Sequence, residues 1–351
     1  MPNWLATREQ VKRAGNITGV SLNAMVDRII EAVSRDIDRR TRRRFIPITE
    51  TRLYRWPQRN GRSSILLLDA DLLAVTTLQT KAQDASPTTI SSDDYFLEPD
   101  NFAPPYDRIE IDLSGSAAFE SGNTSQRSIS VAGRWGYSED TAAAGTVASG
   151  LASSASAVSM VGSNGSLVDV GDTLLIESEQ LFVSERANAQ VATQLLDGAL
   201  TASQAEVAVT VDTGTLFFAG EMILVDSERM FIESISGNVL TVIRAYDGSV
   251  LAAHDNDTAV HAFRTYTVVR GVNGTTAATH ADTTAATKYV PPQDIRRLAI
   301  AEALAGYQQE RSGYGRTIGT GEAQVEFTGR ALDSLRKYVV DHYQRLRIAT
   351  I

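Results

Sequence analysis

The chain has 351 residues, no cysteine and a formal net charge of −9, with 43% hydrophobic and 21% charged residues. That length and apolar content predict a folded protein of two or three domains. Lack of cysteine excludes disulfides, thiol nucleophiles and cysteine-type zinc sites, and the acidic balance argues against a general nucleic-acid binder, which needs clustered basic surface to neutralise phosphates. No apolar run approaches the roughly 20 residues that span a bilayer. The start, MPNWLATREQVKRAG, lacks the apolar core of a signal peptide, so a soluble protein that assembles in a cytoplasm is expected.

The first clear element is SLNAMVDRIIEAVSRDIDRRTRRRF. Leu22, Met25, Val26, Ile29, Ile30, Val33 and Ile37 recur at helical spacing behind Ser21 as a cap. The helix ends in Arg39, Arg40, Arg42, Arg43 and Arg44, and Pro47 stops it. Cations there favour the helix dipole by about 0.3 to 1 kcal/mol each. Five arginines exceed what one helix end requires, so docking onto an acidic partner or DNA phosphates stands level with the purely structural reading.

Short β-type segments follow: TETRLYRWP, SSILLLD and LLAVTTLQT, separated by NGR and DAD turns, then YFLEPDNFAPPYDRIEIDL and SISVAGRWGY. They predict a small sheet packed against the helix. From Thr141 to Ser166 the sequence is free of charge and rich in Ala, Ser and Gly, which marks a boundary.

Beyond it the chain repeats itself. GDTLLIESEQLFV (171–183) matches GEMILVDSERMFI (220–232), and TVIRAYDGSVLAAHDNDTA (241–259) matches TVVRGVNGTTAATHADTTA (267–285). The order front, front, back, back implies nesting: a module at 203–263 interrupts one made of 157–190 plus 264–288. Alternation within the copies suits β-hairpins with one buried face. The inserted region, 141–288, is therefore expected to be all-β, and a peripheral, removable position on the frame is expected for it. After Pro291 and Pro292 the pattern turns helical, with Ile300, Ala303, Leu304 and Tyr307 on one face behind Asp294 as a cap. The glycine-rich SGYGRTIGTGEAQVEFTG then leads to a last helix, in which Leu332, Leu335, Val339 and Leu346 follow heptad-like spacing.

Motifs that carry chemistry are missing. There is no GxxxxGK[ST], GxSxG or HExxH, and only four histidines. His254, Asp255, Asp257 and His261 offer metal-ligand types, but the second copy keeps only His280 and Asp282, so the shared histidine reads as a structural part of each repeat. Arg244 and Arg270 precede Asp247-Gly248 and Asn273-Gly274, which are tight-turn pairs. Glu177/Glu179 and Asp226/Glu228 invite comparison with glycosidase carboxylates or a cation site, yet a two-residue step on a strand favours a solvated polar face. No catalytic, cofactor-binding or metal residue is assigned, and no enzyme activity is expected.

The helix ending in RRTRRRFIP, the strands of TETRLYRWP and SILLLDADLLAVTTLQT, the DDYFLEPDNFAPPYDRIEI and SISVAGRWGY segments and the terminal helices together resemble head-tail connector, or adaptor, proteins of tailed bacteriophages. The resemblance covers about 20–138 and 291–351, in order and spacing. The duplicated phrase looks like modules of other phage structural proteins. The resemblance implies an α+β fold, a helical connector frame (1–140 and 289–351) with a small β-sheet element, interrupted by the all-β insertion. It implies a virion protein at the capsid vertex, assembled in the host cytoplasm as a homo-oligomeric ring, commonly of twelve subunits. Such a ring lies below the portal protein, extends the channel for passing double-stranded DNA, and docks tail or neck proteins. The C-terminal segment would meet the portal at Tyr343, Leu346, Ile348 and Ile351. The alternative is a phage appendage or receptor- or carbohydrate-binding protein whose β-insertion does the recognition.

Overall fold

A computed structural model describes residues 3–57, 64–102, 104–160, 163–313, 317–318, 325–326 and 330–345. Among them 37% are strand and 25% helix. The expectation of a helical frame with a minor β-element is overturned, because two large antiparallel sheets, of six and ten strands, dominate the molecule.

The N-terminus opens with α1 (Arg8–Ala14), closed at its start by a capping box in which Thr7 and Gln10 serve each other's backbone. The predicted amphipathic helix follows as α2 (Asn23–Thr41), burying Val26, Ile29, Ile30 and Ile37, each contributing roughly 1.5–3 kcal/mol by leaving water. It ends at Arg42, whose φ of 55° is left-handed.

The first sheet comprises β1 (Ile48–Tyr54), β2 (Ile65–Thr80), β3 (Thr88–Ile90), β4 (Tyr95–Glu98), β5 (Tyr106–Ile111) and β6 (Ile129–Trp135). Its order is β1-β6-β2-β5-β4, with β3 on β2. The predicted turn at Asp69-Ala70-Asp71 does not form; β2 runs through it for 16 residues. Two features carry the strand across these acids. Bulges between Leu67 and Leu72 hand β2 from β5 to β6. Arg52 and Tyr54 bind Asp69, while Arg43 and Arg345 bind Asp71. The NGR turn lies outside the described residues.

The second sheet contains β7 (Thr141–Thr146), β8 (Ala157–Ser159), β9 (Thr173–Ile176), β10 (Glu179–Leu195), β11 (Ala208–Thr210), β12 (Met222–Val225), β13 (Glu228–Ser236), β14 (Val239–Ile243), β15 (Ala259–Val269) and β16 (Ala285–Tyr289). Its order is β11-β14-β13-β12-β15-β10-β9-β16-β7, with β8 on β15. The charge-free stretch read as a boundary supplies β7 and β8. β7 pairs with β16 from Thr141↔Tyr289 onward, so the inserted region begins and ends on neighbouring strands. Each module has its own apolar core, one around Val168, Leu174, Leu181 and Tyr266, the other around Val209, Ile223, Met230 and Val242. The long strands β10 and β15 run through both.

Three helices close the frame: α2 packs on α3 (Gln293–Arg311) and on α4 (Arg330–Tyr343), and a short ribbon of β17 (Thr317–Ile318) and β18 (Val325–Glu326) lies between the latter two in sequence. The core between them is not made by the frame alone. Val170, Phe182 and Val272 of the insertion pack with Trp4, Ile30, Leu298 and Val339. Trp4 meets Phe182 edge-on at 5.4 Å and would strike a Cβ added at Gly171. The insertion is thus built into the helical core, where a peripheral position was expected for it.

Candidate functional site

The histidines and paired carboxylates of the repeats come together, but as scaffolding. In each copy the hairpin loop begins with an acid in the left-handed region, Glu177 (φ 54°) or Asp226 (φ 50°), and the second acid starts the return strand. Glu179 and Glu228 are fully buried. Arg270 donates to both oxygens of Glu179 at 2.6 Å, and Arg244 to both oxygens of Glu228 at 2.7 and 2.8 Å. The amides of Gly271 and Ala278, or Ala245 and Ala252, donate as well. A histidine completes each cradle: His280 lies between Glu177 and Glu179 at 2.7 and 2.8 Å, and His254 between Asp226 and Glu228 at 2.7 and 2.9 Å. Burial pushes both glutamates up, but the arginine, amide and histidine hydrogen bonds outweigh it and hold each at about 2. Glu179 and Glu228 are therefore buried structural acids rather than part of a solvated strand face, whereas Glu177 and Asp226 keep about 60% of their side chains exposed. His261 stands apart on β15 and Asp255 and Asp257 are exposed, so the possible metal set is dispersed. Among the described residues no metal-binding group of acids and histidines is assembled.

The arginine run at the end of α2 divides in two. Arg43 is structural: its Nε donates to the Tyr343 carbonyl at 2.6 Å, its Nη1 to Asp71 at 2.7 Å, and its guanidinium lies 4.8 Å from the Tyr137 ring. Arg40 pairs with Asp36 one turn earlier at 2.6 Å. Arg39, Arg42 and Arg44 are exposed and enter no ion pair among the described residues. With Arg35, Arg52 and the edge of Trp135 they line an open cleft of about 430 Å³. The acids there are largely engaged. Asp71 is held by Arg43 and Arg345, and Asp69 by Arg52 and Tyr54. Asp38 is pushed up to about 6 by burial, against the pull of Arg35 and Arg44. The cleft thus carries excess positive charge on an acidic protein, an arrangement suited to carboxylates or phosphates.

Tyr343 is buried, meeting Phe45 and Tyr137 edge-on at 5.7 and 5.3 Å. Its ring is therefore part of the core, whereas Leu346, Ile348 and Ile351 lie outside the described residues. The Arg345 amide donates to the Thr41 carbonyl at 2.9 Å, closing the end of α2, and its guanidinium reaches Asp71 and the Leu68 carbonyl. Arg345, the last described residue, thus shares Asp71 with the lining of the arginine cleft.

A second cleft, of about 310 Å³, separates α1 from the nested module. Arg13, Arg186 and Arg229 stand over the rings of Phe231 and Phe263 at 5.7 Å. At its base Glu9 accepts from the Val170 amide at 3.0 Å, and burial together with Asp169 raises it to about 7, against Arg186 and Arg8. Nothing in the sequence reading singled out this group. Comparison with known protein families, with curated proteins and with solved structures finds no match to this chain.

Proposed function

We propose that this chain is a structural virion protein, a head-tail connector that assembles as a ring below a portal and presents a docking face to tail or neck proteins. The observation that carries the reading is the shared end of α2 and α4, where Arg345 closes onto Thr41 beside a cleft whose Arg39, Arg42 and Arg44 have no acidic partner among the described residues. The segments that resemble connector proteins supply that end. The carboxylates and histidines that would serve catalysis are used in buried cradles, which favours a non-catalytic role. The insertion, sharing the helical core, belongs to the wall of the assembly rather than to a tethered receptor-binding appendage. A net charge of −9 disfavours tight adhesion to DNA, so duplex passes through such a ring without sequence-specific contact.

The test is portal binding by the chain with residues 346–351 removed. Binding by the full chain that is lost on truncation, with an unchanged melting temperature, is the expected result. A full chain that does not bind the portal counts against the connector reading.

A further inference from the structure

Two surface features have no role within one copy. The first is the arginine cleft. The second is the outer edge of the six-stranded sheet, where the chain from Ser91 to Leu113 carries Asp93, Asp94, Glu98, Asp100, Asp107, Glu110 and Asp112 against Arg108 alone. Arg108 is engaged by Glu98, Asp107 and Glu110 at 2.7–3.8 Å. Asp93, Asp94, Asp100 and Asp112 have no cation partner among the described residues. Set among these acids are Phe102 and Leu113, each 82% exposed, and Phe96, 55% exposed. β4 pairs only with β5 among the described residues, so it presents an open backbone edge. Apolar anchors inside a charged rim, on an unpaired edge, are the make-up of an interface.

We infer that the acidic β4–β5 edge of one copy docks on the arginine cleft of the next, a head-to-tail contact between identical chains. The occupant follows from charge: among the described residues Arg39, Arg42 and Arg44 of the cleft have no acidic partner, Asp93, Asp94, Asp100 and Asp112 of the edge have no cationic partner, and both sets are repeated on every copy. A chain of net charge −9 repels itself in general, so attraction has to come from such a local match. The contact is heterologous, with different patches on the two sides, and successive copies close into a ring when the rotation allows. This inference rests on the connector reading only for that closure.

Sedimentation velocity on the full chain tests it, at about 50 mM and about 500 mM salt, since exposed charge pairs weaken as screening shortens. Wild type is expected to form species larger than a dimer at low salt, and the association to weaken about tenfold or more at high salt. Reversing one face, with Arg39→Glu, Arg42→Glu and Arg44→Glu together, leaves both faces acidic and the chain monomeric. Asp93→Lys, Asp94→Lys, Asp100→Lys and Asp107→Lys together leave both faces basic, with the same result. An equimolar mixture of the two variants assembles, because each new contact pairs opposite signs. Phe102→Ser weakens wild-type association about tenfold without lowering the melting temperature. A wild type that stays monomeric at low salt, or reversal variants that assemble as wild type does, overturns the inference. Portal binding by the same proteins is read separately: its loss with self-association intact counts against the connector reading and leaves this contact standing.

Discussion

The outer and nested modules hold themselves together identically and meet the rest of the protein differently. In both, a buried glutamate is gripped by an arginine, two amides and a histidine. In both, the turn after that arginine has left-handed residues at matching places, Gly271 and Asn273 in one, Ala245 and Asp247 in the other. The divergence comes at the turn's tip. Asn273 exchanges hydrogen bonds with Asn3 and donates to Gln180 at 2.7 Å, all three side chains buried. At the equivalent place Asp247 takes Lys12 at 2.7 Å and Arg229 at 3.2 Å on the rim of the α1 cleft. Gln180 and Arg229 are themselves equivalent positions, so the two copies differ as a pair, two amides in one and an ion pair in the other. A neutral pair suits a site closed off from water, and an ion pair suits one that keeps partial solvent contact, because desolvation penalises charge. The two copies share the internal cradle and differ at the docking turn.

Removing the cradle should have the largest effect. Glu179→Ala and Glu228→Ala each strand a buried arginine, and each is expected to cost roughly 3–5 kcal/mol in urea unfolding. Costs that differ severalfold between the two would break the claim of equivalence. The docking turns rank next. A Cβ at Gly274 would lie 2.0 Å from the Thr49 carbonyl oxygen, and one at Gly248 2.8 Å from the Gly19 Cα, both glycines having positive φ. Gly274→Ala should therefore lower the melting temperature more than Gly248→Ala, since the outer turn abuts a strand and the nested one a loop. Asp247→Ala should cost about 1–3 kcal/mol, because Lys12 keeps Asn23 and the Gly19 carbonyl but loses its carboxylate, and the Gly19 amide loses its acceptor. The same measurement on Asn273→Ala sharpens the contrast, because only the nested turn should lose its effect in high salt.

A pH dependence of opposite sign separates the two kinds of acid. Glu179 and Glu228 titrate near 2 in the fold and higher when unfolded, so their contribution is present above about pH 4.5 and is lost as pH falls toward 2. Glu9 titrates near 7 in the fold, among Asp169, Arg186 and Arg8. Its folded form holds the proton more tightly, so the associated stability is present below about pH 4.5 and is lost as pH rises through 7. Glu9→Gln should flatten the stability profile between pH 5 and 8 and leave the acid limb unchanged. An unchanged slope in that range would remove Glu9 from the account.

Much of this organisation was legible in the sequence, in unequal parts. The nested order of the copies could be read directly, because matched phrases survive at thirteen consecutive positions, and α2 announced itself by its apolar spacing. The cradle could not be read as such, since Glu179 and Arg270 are 91 residues apart and a glutamate two places from another acid looks solvated. A signal was present all the same: Glu, Arg and His recur at matched places in both copies, amid apolar strands. The α1 cap is also visible in the sequence, as Thr7 followed by Gln10 at the capping-box spacing. The length of β2 was hidden by Asp69 and Asp71, which read as a turn until arginines from distant elements neutralise them. The balance of fold class went the same way: a helix shows itself locally, whereas a sheet is assembled from partners far apart in sequence.

Cryo-electron microscopy of the protein mixed with its portal addresses the central proposal most directly. A second ring stacked below the portal, with adjacent copies in contact through the arginine cleft and the β4–β5 edge, is the result this account predicts. A bare portal, with the chain remaining free, would contradict it.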